Sequence, residues 1–241
     1  MAERTEVCPQ CAATGWRMER RGDDEVAVPC ECRRERRRAA RLRAAGLPAR
    51  YADCTLDGFE LWNPDDPTLR QARDRAKVFV ECYPLVDKGL LLMGPAGTGK
   101  THLATAVLRE LTASKGVQGL YVDMLELIQQ LQMSFESPTM TRERILSPVV
   151  ETELLVLDEL GAGKTTAWVM DLIYYIINTR YMRKRLTICT TNFKDVASTA
   201  GEETLADRVS SRVRSRLFEM CNVVQLRGED YRQRVLAARG R

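Results

Sequence analysis

Three groups of side chains have types and spacings that could do chemistry. The first is Gly94-Pro95-Ala96-Gly97-Thr98-Gly99-Lys100-Thr101, which fits GxxxxGK[ST] and is followed by His102, the only histidine. Glycines at those intervals let backbone N–H groups close around phosphate oxygens. Lys100 would then reach the β- and γ-phosphates of a nucleoside triphosphate, and the Thr101 hydroxyl would ligate Mg²⁺. The second group ends two apolar runs. Asp158 and Glu159 close LLVLDE, and Asn192 closes LTICTTN. Asp158 suits the Mg²⁺ shell, Glu159 suits polarisation of an attacking water, and the Asn192 amide suits ordering of the γ-phosphate and that water. Adjacent carboxylates are costly to bury unless a metal or donors satisfy them. A strand merely capped by acids is the bland alternative.

The third group is Cys8-Pro-Gln-Cys11 and Cys30-Glu-Cys32. Two thiol pairs around a turn at Gly22-Asp23-Asp24 match a structural Zn²⁺ site, although CEC is tighter than the usual CxxC. The alternative is four unrelated thiols. Residues 1–32 hold too little apolar material to fold unaided, so the module is expected to unfold on chelation.

These residues need elements to position them. A strand from Leu90 leads into the phosphate loop. Leu103, Ala104, Val107, Leu108 and Leu111 then recur at helical spacing, which aims a helix N-terminus at the phosphates. Further strands are expected at 119–123, 154–159, 186–192 and 223–226. A helix starts at Asp66-Pro67 and runs to Tyr83. Another carries Met124, Leu127, Ile128, Leu131 and Phe135, a stripe read as core, and stops at Ser137-Pro138. A shorter one runs from Thr141 toward Ser147-Pro148. A further helix buries Val169, Leu172, Ile173, Ile176 and Ile177.

From Leu205 one helix is expected to carry Leu205, Val209, Val213 and Leu217 on one face. Arg208, Arg212 and Arg216 form a row on another. Like charges at that spacing repel, so the row suggests an anionic partner, such as a neighbouring subunit's γ-phosphate. Intrachain pairing is the alternative. Gly161 to Thr166 imitates a phosphate loop, but the first glycine of the pattern would fall on Asp158, whose charge repels phosphate.

The chain has 241 residues, 44% hydrophobic and 29% charged, with a formal net charge of +4. Residues 1–50 hold 12 Lys+Arg against 8 Asp+Glu, leaving 25 against 25 for the rest, so the whole excess sits at the N-terminal end. It culminates in RRERRRAARLR from Arg33, a basic helix suited to nucleic-acid backbone, to an acidic protein face, or to no more than a solvated linker. No run is long and apolar enough for a membrane span, and MAERTEVCPQC lacks a signal peptide's apolar core. A cytoplasmic location with reduced thiols is expected. The organisation expected is a zinc module over 1–33, a basic helix and strap over 34–66, and an ATPase domain over 67–241.

The chain resembles the AAA+ ATPases of the DnaC/DnaI and IstB group, bacterial replicative helicase loaders and transposition helpers. The likeness rests on GPAGTGKTHLA from Gly94, LLVLDELG from Leu154, IINTRY from Ile176, CTTN from Cys189, SRVRSRLFEMC from Ser211 and EDYR from Glu229. It covers residues 48–241, and the N-terminal cysteines resemble the zinc-bearing domain of DnaI-like loaders. It implies an α/β fold with a five-stranded parallel sheet flanked by helices and no helical lid, since only fourteen residues follow Arg227. It further implies an arginine finger at Arg216 with Arg212 close behind, a nucleotide-sensing arginine at Arg232, and a homo-oligomer in the ATP state. The helices between Met124 and Glu151 would face single-stranded DNA, and the N-terminal domain would grip a replicative helicase. Many relatives carry two aspartates where this chain has Asp158 and Glu159, and glutamate is the usual AAA+ base. Two other readings stand beside the loader: a transposition helper on duplex DNA, and an ATP-gated adaptor with little turnover.

Overall fold

The computed structural model describes residues 7–62, 66–135 and 141–233. An antiparallel hairpin, β1 (Trp16–Arg21) and β2 (Asp24–Pro29), precedes helix α1 (Glu31–Ala44). The larger unit then runs α2 (Pro67–Cys82), β3 (Gly89–Met93), α3 (Lys100–Glu110), β4 (Gly119–Asp123), α4 (Met124–Met133), α5 (Arg142–Glu151) and β5 (Leu154–Asp158). It continues with α6 (Ala167–Met182), β6 (Leu186–Thr191), α7 (Leu205–Val209), α8 (Ser211–Met220) and β7 (Cys221–Gln225).

The five strands β3 to β7 are all parallel in the order β4-β5-β6-β3-β7. Their continuous apolar runs follow from burial on both faces. Leu91, Met93, Leu155, Leu157 and Cys189 pack against helices α4 to α8, while Leu90, Leu92, Leu154, Val156 and Ile188 pack against α2 and α3. Each buried leucine is worth roughly 1.5–3 kcal/mol, so this double layer holds the strand ends rigidly. Register then places Asp123 beside Asp158, and Met93 beside Thr191, along one edge of the sheet. Because β6 lies between β3 and β5, the end of β6 falls between the phosphate loop and the acids.

Side-chain caps start the helices where short polar residues stand. Asp66 accepts from the Thr68 N–H at 2.8 Å, and Asp123 accepts from Leu125 and Glu126 at 2.8 and 3.0 Å. Among the described residues no helix is long and apolar enough to cross a membrane.

Several expectations needed correction. The helix from Leu205 is broken at Ser210, whose φ of 78° starts a second helix and whose Oγ accepts from the Val213 N–H at 3.4 Å. Two consecutive serines compete for backbone bonds and so favour a cap over continuation. Leu205, Val209, Val213 and Leu217 are all fully buried, but on two helices. The three arginines therefore do not form one row. Helix α5 does not stop at Pro148; it continues to Glu151. The roughly 3 kcal/mol cost of an interior proline is offset by burial of Val149 and Val150. Helix α4 ends at Met133, so Phe135 lies past it and is 62% exposed rather than core. The Ser137-Pro138 stop and Arg234 lie outside the described residues.

One buried cation was not anticipated. Arg180 sits fully enclosed within the apolar face of α6. Its Nε donates to Thr187 Oγ1 at 2.9 Å, Nη1 donates to the Val149 and Thr152 carbonyls at 3.0 Å each, and Nη2 donates to the Leu186 carbonyl at 2.6 Å. It ties the end of α5 and the start of β6 to α6.

Candidate active site and cysteine cluster

The phosphate loop leaves β3 at Gly94 and enters α3 at Lys100. Gly99, at φ 95°, is the cap residue of α3, a conformation that favours residues without a Cβ. Thr98 Oγ1 donates to the Pro95 carbonyl at 2.9 Å, and Lys100 Nζ donates to the same carbonyl at 2.8 Å. Only 5% of Lys100 is exposed. Burial lowers its pKa, while the charges of Glu159 and Asp158 oppose that shift.

Asp158 is the buried hub. It accepts from Thr101 Oγ1 at 3.1 Å and from Thr190 Oγ1 at 2.5 Å on Oδ1, and from the Tyr121 hydroxyl at 2.7 Å on Oδ2. Three hydroxyls satisfy a carboxylate that would otherwise be costly to bury. The Thr101–Asp158 contact pairs the two residues expected to share Mg²⁺, and an oxygen donor set of this kind fits that hard cation. Tyr121 escaped the sequence reading; a lone hydroxyl near the end of an apolar strand was its only signal. Burial, followed by the Asp158 charge, raises the Tyr121 pKa.

Glu159 lies just past β5 at φ 57°, left-handed backbone of the kind that costs a non-glycine residue about 1–3 kcal/mol and concentrates at functional sites. Its backbone N–H donates to Thr190 Oγ1 at 3.0 Å, and its Oε2 accepts from Asn192 Nδ2 at 3.1 Å. Burial first, and the neighbouring Asp158 charge second, raise its pKa; Lys100 and the Asn192 bond pull the other way.

Lys100, Thr101, Glu159 and Asn192 line a cavity of about 340 Å³, with Asp158 behind Thr101. The segment from Tyr51 to Trp62, expected as a strap, contributes Tyr51, Phe59 and Trp62 to its wall. His102 reaches the wall but spends both ring nitrogens on the strap. Nε2 lies 2.9 Å from the Thr55 carbonyl and therefore donates, which leaves Nδ1 as an acceptor 3.4 Å from Cys54 Sγ. Arg232 also lines the cavity.

Arg212 and Arg216 do not line the cavity. Arg212 is exposed, and the Arg216 guanidinium lies over the rings of Tyr174 and Tyr181 at 5.2 and 5.7 Å. Arg208 has an intrachain task instead. Its Nε donates to the Gly161 carbonyl at 2.9 Å, Nη2 donates to the Gly163 carbonyl, and the guanidinium covers Phe193 at 4.9 Å. It thus clasps the loop after Glu159 to the residue after Asn192.

The cysteine pairs converge. Sγ of Cys8, Cys11, Cys30 and Cys32 lie within 4.8 Å of one another, with Cys8–Cys30 at 3.8 Å and Cys11–Cys32 at 3.4 Å. A tetrahedral Zn²⁺ with bonds of roughly 2.3 Å separates its sulfurs by about 3.8 Å, so the cluster fits that ion. The β1–β2 hairpin brings the pairs together, Cys30 stands at the N-cap position of α1 without a side-chain capping bond, and the Gly15 N–H donates to Cys11 Sγ at 3.3 Å. Helix α1 then reaches the sheet, where the Tyr121 N–H donates to the Ala45 carbonyl at 2.8 Å.

A parallel sheet ordered in this way, with phosphate loop, acid pair and amide on adjacent strand ends, defines a P-loop nucleoside triphosphatase. The family model for the IstB-like ATP binding protein matches residues 5–238, and the chain belongs to this family of AAA+ ATPases. It is 30% identical over 184 residues to the replicative helicase loader DnaI of Bacillus subtilis (strain 168), covering 72% of this chain and 58% of that protein. It is 29% identical over 193 residues to the insertion sequence IS21 putative ATP-binding protein of Pseudomonas aeruginosa, covering 78% and 69%. Among solved structures, the DnaC helicase loader superposes with a TM-score of 0.64 at 32% identity, covering 74% of this chain and 99% of that one.

Proposed function

We propose that the protein loads a replicative DNA helicase, using ATP held between subunits of a homo-oligomer. The observation that carries this reading is the division of the site. Lys100, Thr101, Glu159 and Asn192 share one cavity, with Asp158 buried behind it and bonded to Thr101, whereas Arg212 and Arg216 stand on α8 outside it. Arginines that fail to reach their own chain's cavity are suited to a neighbour's, where a finger is worth roughly 10³–10⁵ in rate.

In such an assembly the phosphate loop and Lys100 bind the triphosphate, and Thr101 with Asp158 hold Mg²⁺, which when bound neutralises phosphate charge. Glu159 takes the proton of the attacking water, and Asn192 fixes the carboxylate that does so. The strap aromatics supply apolar surface for a base. Helices α4 and α5 face single-stranded DNA; Phe135, exposed with the Arg142 guanidinium 5.5 Å over its ring, has the chemistry of a base-stacking position. The cysteine module, with Zn²⁺, presents α1 and the hairpin to the helicase.

The likeness to the IS21 protein and to the IstB model favours a second reading, a transposition helper. Capture from native lysate with the full chain carrying Glu159→Gln, which retains ATP, separates the two. Recovery of a ring helicase supports the loader, and recovery of a transposase overturns it.

A further inference from the structure

Arg232, on the cavity wall, is held by its own near neighbour. The Asp230 carboxylate accepts the Arg232 backbone N–H at 3.0 Å, Nε at 2.9 and 3.2 Å, and Nη2 at 2.9 Å. Four contacts to one carboxylate fix both the backbone turn and the plane of the guanidinium. They occupy its Nε–Nη2 edge and leave the Nη1 edge for a ligand.

Asp230 is itself mounted on the phosphate loop. A Cβ built at Gly97 would lie 1.9 Å from Asp230 Oδ1 and 2.7 Å from its Cα, so this approach requires glycine at 97. The Tyr231 N–H donates to the Gly97 carbonyl at 3.2 Å, and the Tyr231 hydroxyl donates to Glu60 Oε2 at 2.6 Å on the strap. Loop, tail and strap are therefore joined at one point. A bare carboxylate at that point would repel a phosphate; paired with Arg232 it does not. The pair is also too exposed to matter much for stability, since the Arg232 side chain is 55% accessible. Its geometry needs a different reason.

We infer that Asp230 is a positioning residue for nucleotide recognition: it anchors Arg232 to Gly97 and aims the free guanidinium edge at the phosphate chain. This rests on reading the cavity as an ATP site. The contrary possibility, that Asp230 sequesters Arg232 and must release it, predicts the opposite sign.

The test measures ATP and ADP affinities, with Mg²⁺, for the full chain and its variants. Asp230→Asn should weaken ATP about tenfold, the scale of one charge-assisted hydrogen bond, and ADP much less. Arg232→Ala should do the same, and the double variant should be no worse than Arg232→Ala alone. Arg232→Lys, which keeps the charge but lacks the fork, should match Asp230→Asn. Unchanged or tighter ATP binding by Asp230→Asn, or losses that simply add, overturn the proposal. Lys100→Ala separates the two levels. If it abolishes ATP binding while Asp230→Asn changes nothing, only the role of Asp230 fails; if it too changes nothing, the nucleotide reading fails with it.

Discussion

The Asn192 side-chain amide donates to the Glu159 carboxylate across the ends of two neighbouring strands, Nδ2 to Oε2 at 3.1 Å. The contact fixes a carboxylate that the left-handed backbone at Glu159 has already swung off the sheet. Catalysis of water attack depends on that orientation more than on affinity. Asn192→Ala should therefore lower kcat about 10²-fold with little change in KM, and Glu159→Gln should lower it further while ATP still binds. Phosphate release at saturating ATP and protein checks both. A rate for Asn192→Ala within twofold of the parent would refute the role.

Glu159 also sets a pH dependence. Burial and the Asp158 charge raise its pKa, so protonation begins at a higher pH than for an ordinary glutamate. Only the ionised form accepts a proton from water, so turnover is present above the raised pKa and lost as pH falls through it. The acid limb of kcat/KM should lie above the roughly 4.3 of an unperturbed side chain, and Glu159→Gln should lack it. A limb at or below the ordinary value would assign the titration to another group.

The placement of the candidate groups was legible in this sequence because phosphate loops, strand-end acids and cysteine pairs are local patterns. GPAGTGKT, LLVLDE and the two thiol pairs all landed where their spacing implied. Partners distant in sequence were not legible. Nothing local says that Tyr121 reaches Asp158, that His102 turns to the strap, or that Arg208 bonds Gly161 and Gly163, because each contact follows from the tertiary arrangement of elements far apart in sequence. The break at Ser210 was hidden because serine is a tolerable helix residue whose hydroxyl prefers a cap only when the chain can turn.

Arg180 gives a large expected effect on the stability of the sheet domain. Its guanidinium bonds three carbonyls and one hydroxyl inside the fold, and truncation leaves these acceptors buried and unpaired. At roughly 1–3 kcal/mol for an unsatisfied buried group, Arg180→Met should lose about 3–5 kcal/mol. Urea unfolding of the two chains measures it. A loss below about 1 kcal/mol would mean that α5 and β6 relax to re-pair their carbonyls.

The cysteine cluster makes a prediction independent of the nucleotide. Four sulfurs at tetrahedral spacing, and a hairpin with little buried apolar surface, mean that the fold of residues 8–32 depends on a bound ion rather than on a core. Structural Zn²⁺ supplies roughly 10–16 kcal/mol of apparent binding energy to such modules. Purified protein should carry one zinc per chain by atomic absorption, and Cys30→Ser should lose it. A strong chelator should then speed amide exchange across β1 and β2 and disturb the Trp16 ring, over which Arg33 lies at 4.3 Å. The sheet should keep its protection, because its core is made without the module. Unchanged exchange in the hairpin after complete removal of zinc would show that the thiols converge without holding the fold.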